Sequence, residues 1–99
     1  MRRRLILILP LALAACGAAV LDPLEAQRRA RVEVIVKSAY PGILDEIGAG
    51  GGPSLIAAFD AAGVPAGDRV ARVTQMQGDL GLYAGSPGAL VATVVAFGA

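Results

Sequence analysis

Covalent chemistry needs a nucleophile, a base or a metal-binding set, and this chain carries few candidates. It has one cysteine, Cys16, and neither histidine nor tryptophan. Its hydroxyls are Ser38, Ser54, Ser86, Thr74, Thr93, Tyr40 and Tyr83. A serine or threonine nucleophile needs a neighbouring base, usually histidine. Zinc sites draw on His and Cys, and calcium loops on acids at alternating positions. The adjacent carboxylates of Asp45 and Glu46 read as the solvated face of a short helix rather than an acid–base pair. The sequence names no catalytic residue, no metal ligand and no cofactor, and an enzyme is not expected.

Two other clusters have ligand-like spacing. The first is Gly48-Ala49-Gly50-Gly51-Gly52 leading into Pro53-Ser54. Glycines before a helix start can aim backbone N–H groups at an anion, which makes Gly50, Gly51, Gly52 and Ser54 a candidate ligand loop. The stretch fails both phosphate fingerprints: no Gly-Lys-Ser/Thr follows, and Pro53 stands where the last glycine of Gly-x-Gly-x-x-Gly belongs. A flexible turn between helices is the favoured reading. The second cluster, Arg28, Arg29 and Arg31, is a candidate contact for an anionic membrane surface. Against it, Glu25 and Glu33 are spaced to neutralise those charges along one helix.

The strongest pattern surrounds Cys16. Arg2-Arg3-Arg4 precede an eleven-residue apolar run, Leu5 to Ala15, which ends in small residues. This order matches a secretory signal, and the run is short of the roughly 20 residues a spanning helix needs. Leu13-Ala14-Ala15-Cys16 resembles the lipobox of bacterial lipoproteins. The resemblance covers residues 1–17 and marks a processing class rather than a fold family. It implies cleavage before Cys16 and acylation of the cysteine, so that the bilayer is the first partner. Gly17, in place of the aspartate that favours inner-membrane retention, points to the periplasmic face of the outer membrane if the cell is Gram-negative. The competing readings are ordinary secretion and an uncleaved anchor.

Composition bounds the remainder. The whole-chain charge is +1, but three arginines leave with residues 1–15, so six basic residues face eight acids. A net −2 does not fit a nucleic-acid binder, which shows a basic patch and a high pI. With its one thiol committed to lipid, the domain is expected to have no disulfide. All thirteen glycines lie beyond residue 15, and each raises the entropy cost of folding. A domain this small has a thin stability margin and is expected to lean on a partner, on self-association or on the membrane.

The expected organisation is a signal at 1–15, a lipidated Cys and short spacer at 16–21, and a helical domain at 22–99. Asp22-Pro23 supplies an N-cap and an N1 proline for a helix to Ala39. A second helix is predicted from Pro41 to Ile47. A third, Pro53–Ala62, has Leu55, Ile56, Phe59 and Ala62 as its apolar stripe. A fourth, Asp68–Tyr83, has Val73, Met76, Leu80 and Tyr83, a stripe assigned to the core. Gly78 and Gly81 weaken it, or admit a close neighbour. Ser86-Pro87 starts a last helix ending at Phe97 that is apolar all round.

These elements predict an all-α fold, a small bundle of four to five short helices. An α+β alternative pairs Val32–Val36 with Val91–Phe97 as strands. The expected role is a non-catalytic accessory or interaction module of the cell envelope with an envelope protein as partner. The alternative is a lipoprotein binding a small ligand or anion at Gly48–Ser54.

Overall fold

A computed structural model of the chain describes residues 22–99. The expected signal, Cys16 and the spacer lie outside the described residues. Six α-helices follow one another: α1 Pro23–Ala39, α2 Gly42–Gly48, α3 Pro53–Ala62, α4 Arg69–Gly78, α5 Leu80–Tyr83 and α6 Pro87–Phe97. A 3-10 turn, Ala66–Asp68, leads into α4. Among the described residues there is no strand. The fold is all-α, and both segments of the strand alternative are helical.

Helix ends follow their local chemistry. The Leu24 N–H donates to the Asp22 carboxylate at 3.1 Å, and the Ala89 N–H to the Ser86 hydroxyl at 3.1 Å. Each bond satisfies a donor that a first turn leaves without a partner. At its far end α3 closes on Gly63, at φ 76°, the left-handed conformation that glycine adopts without steric cost. The amide of Gln77 donates to the carbonyls of Ile47 and Gly48 and so covers the carbonyl end of α2.

Several expectations are corrected. The predicted Asp68–Tyr83 helix is interrupted at Asp79, whose φ of −109° and ψ of 11° leave the helical range. Gly78 lowers the cost of that break. A Cβ at Gly78 or Gly81 would meet nothing within 4 Å, so neither admits a close neighbour. Gly98 does so, since a Cβ there would overlap the Ala62 carbonyl. Asp68 makes no capping bond to α4. Arg72, four residues on, bonds Gln75 and lies over the Phe97 ring at 4.5 Å. In α6 only one side is buried, at Leu90, Val91 and Val94, while Ala92 and Ala96 face out.

The core draws on every α-helix. Val32 and Val36 come from α1, Ile43 and Ile47 from α2, and Leu55, Ala58, Phe59 and Ala62 from α3. Val73 and Met76 of α4 and Tyr83 of α5 are buried with them, and Leu80 packs at the margin. Three of the four residues of that predicted stripe are thus buried. Ile56 is not: it is 53% exposed, and Ala58 holds the inward position. Fully burying a Val, Ile or Phe side chain is worth about 1.5–3 kcal/mol, so these contacts are the main favourable term.

Helix α1 is the spine. It packs against both α3 and α6. Arg31 shares a groove with Asp60, and Ser38 one with Ser54, so α1 and α3 run antiparallel. Leu24 and Arg28 share a crevice with Val95 and Gly98, while the Tyr40 hydroxyl donates to the Tyr83 and Ala84 carbonyls just before α6. Helix α6 is therefore antiparallel to α1 as well. The Tyr40–Pro41 peptide is cis.

Candidate functional site

The glycine loop joins α2 to α3 through two residues in the left-handed region, Gly50 at φ 98° and Gly51 at φ 142°. Its backbone is tied down: the Gly51 N–H donates to the Glu46 carbonyl at 2.8 Å and the Gly50 N–H to that of Ile47 at 3.1 Å. The stretch is a turn between two helices, with these two backbone bonds across it. Helix α3 has Gly52 as its N-cap and so no capping side chain of its own.

The missing cap comes from α2. Glu46 Oε1 accepts from the backbone N–H groups of Ser54 at 2.9 Å and Leu55 at 3.1 Å. A carboxylate at a helix N-terminus also gains from the positive end of the helix dipole. A Cβ at Gly52 would overlap the Glu46 side chain, so a glycine there makes room for the cap. The Ser54 donor that the sequence offered to an outside anion is engaged, with that of Leu55, by the chain's own carboxylate. Asp45 and Glu46 therefore differ: Asp45 is exposed and Glu46 half-buried in this role. The sequence signal for Glu46 was indirect, a proline-started helix preceded by glycine with no Ser, Thr, Asp or Asn to cap it.

Beside the loop, Gly50, Gly51, Leu55, Ile56, Phe59 and Val70 line a cleft of about 160 Å³. Small-molecule sites usually occupy roughly 300–1,000 Å³, so this cleft is small for one. Arg69 closes its end, donating to the Val64 carbonyl at 3.1 and 2.9 Å and pairing with Asp60 at 2.8 Å. That arginine joins α3 to the turn after it and has its donors engaged within the fold.

The three arginines of α1 are placed differently. Arg28, Arg29 and Arg31 are all exposed, in a half-helix where every residue from Asp22 to Arg31 is exposed. Of the spaced pairs along α1, the structure forms Glu33–Lys37. Glu25–Arg29 and Arg29–Glu33 are not in salt-bridge contact. The Lys37 ammonium, through its hydrogen bond and its charge, holds the Glu33 carboxyl below its ordinary value of 4.5. The structure thus brings Ser54 and its loop to Glu46, and leaves the arginine cluster at the opposite end of α3, near Asp60 and Ala62.

Among the described residues no three His, Cys, Asp or Glu side chains cluster as metal ligands, no polar side chain is buried, and no helix is long and apolar enough to cross a membrane. No protein-family model, no curated protein and no solved structure matches the chain.

Proposed function

We propose that the chain is a small bacterial lipoprotein of the cell envelope, acting without catalysis as an accessory or interaction module beside the membrane. The observation that carries this is Leu13-Ala14-Ala15-Cys16 at the end of the apolar run behind Arg2-Arg3-Arg4. In this reading residues 1–15 are removed and Cys16 carries acyl chains. The spacer Gly17–Leu21 then holds the domain against the bilayer, and Gly17 directs it to the periplasmic face of an outer membrane. The partner is an envelope protein met at that surface. Ligand binding at Gly48–Ser54 is not carried forward, because Glu46 takes the Ser54 and Leu55 donors.

The test is the intact mass and membrane partition of the expressed protein beside a Cys16→Ser control. A membrane-bound species beginning at Cys16 with added acyl mass, lost in the control, is the expected result. A soluble, unacylated product from both removes the reading.

A further inference from the structure

Helix α1 is divided along its length. From Val32 onward it is packed, whereas the turns from Asp22 to Arg31 are exposed. That exposed half is the part joined to residue 21, and so to the proposed anchor. Leu24 within it is 67% exposed. Leu24, Arg28 and Arg31 are spaced i, i+4, i+7, which puts them on one side of the helix. The structure seats the first two on the crevice with Ala62 and Val95, and the third on the adjoining groove with Ala61.

Charge is divided in the same sense. Helix α1 with its cap holds four cations, Arg28, Arg29, Arg31 and Lys37, against three acids, Asp22, Glu25 and Glu33. Lys37 and Glu33 cancel in their salt bridge, while Asp22 caps the helix and keeps its charge, so the first half of α1 carries three arginines against Asp22 and Glu25. Glu25 lines the crevice with Arg28 without a salt bridge to it. The elements after α1 carry five acids against Arg69 and Arg72. One of those acids, Asp60, shares the groove with Arg31 and is paired with Arg69; an anionic surface attracts the three arginines and repels the other four acids.

We propose that the exposed first half of α1 docks on an anionic bilayer, with Leu24 at the headgroup boundary and Arg28, Arg29 and Arg31 among the lipid phosphates. This rests on the lipoprotein reading, since the five residues of the Gly17–Leu21 spacer reach at most about 18 Å and keep α1 beside the surface. Arginine suits the position because its stem lies along apolar surface while its head stays among polar groups. Each arginine close to an anionic leaflet favours the docked state about five-fold. The docked domain stands on the α1 end, with Ile56, Val70 and Leu82 left free of the lipid.

The experiment uses the acylated full-length protein in vesicles containing phosphatidylglycerol. A nitroxide is attached at Leu24→Cys, or at Leu82→Cys as the reference. Leu82 belongs to α5, which the Tyr40 hydroxyl holds at the other end of α1. Acylation consumes the Cys16 thiol, so each variant has one site for the label. The expected result is that a label at 24 meets dissolved oxygen more than an aqueous nickel complex, and a label at 82 the reverse. Arg28→Gln with Arg31→Gln, or neutral phosphatidylcholine vesicles, should shift position 24 toward the aqueous relaxant, with the docked population ratio lowered about 25-fold by the double substitution. Equal aqueous access at 24 and 82 on acylated, vesicle-bound protein overturns the docking and leaves the anchor standing. So does protection at 24 that ignores lipid charge and both arginines. Protein that is never acylated and stays in solution overturns the lipoprotein reading and the docking with it.

Discussion

The Glu46 carboxylate lies across the first turn of α3, eight and nine residues further along the chain, one oxygen shared between the amides of Ser54 and Leu55. Two helices that meet at a glycine loop are thereby joined by a charge-assisted bond as well as by packing. A Gly48–Ser54 stretch that looks open in sequence is a closed structural unit.

Removing that cap has a defined cost. Glu46→Ala should lower unfolding stability by about 1–2 kcal/mol, the range for losing a helix cap. Asp45→Ala, at the exposed neighbouring position, should change it by less than about 0.5 kcal/mol. Urea titrations of the two variants check this. Equal effects would mean that the Glu46 bonds add nothing beyond surface charge.

Helix α3 offers a second contrast between adjacent turns. Phe59 is 2% exposed and Ile56 53%. Phe59→Ala should cost about 3–5 kcal/mol, enough to unfold a domain with a thin margin at moderate temperature. Ile56→Ala should move the midpoint little, within about 0.5 kcal/mol. Thermal melts followed by circular dichroism distinguish them. A large loss at Ile56 would place that side chain against something in solution.

The Glu33–Lys37 pair predicts a direction with pH. Glu33 is held below its ordinary value, first by the Lys37 hydrogen bond and then by the Lys37 charge. The folded carboxyl thus releases its proton more readily than the unfolded one. The pair's contribution is present above the unfolded value and is lost as pH falls through the lower folded value. Lys37→Gln should raise the Glu33 midpoint, read from its side-chain carboxyl shift by NMR. An unmoved midpoint would show that the two side chains stay apart in solution.

Much of the fold was legible because its punctuation is local. Asp22-Pro23, Gly63 and Ser86-Pro87 each act within a turn of their own position, and each marks the boundary it predicted. The break at Asp79 was not legible, because the apolar stripe of Val73, Met76, Leu80 and Tyr83 runs across it at helical spacing. Periodicity records which residues face inward, and the backbone can reset by one residue while keeping them there. Ile56 was misassigned for a related reason: its place in an i, i+1 pair with Leu55 leaves the inward angle open until the neighbours are fixed. Glu46 escaped notice because its partners lie across a loop, and composition treats it as equivalent to Asp45. The arginine cluster was visible, but its pairing was not. Spacing offered Glu25 and Glu33 as partners, and rotamers sent Glu33 to Lys37.

The antiparallel packing of α1 on α6 has a kinetic consequence. The first helix of the domain packs on the last one, so part of its burial waits on α6. Closing the core requires a loop about as long as the domain itself, and such closures slow folding. A chain emerging from its N-terminus holds α1 and α3 before α6, the partner they share, arrives. Until α6 follows, α1 and α3 pack on each other with one side of each uncovered. For a chain exported as proposed, the last helix to cross is the one that closes the core.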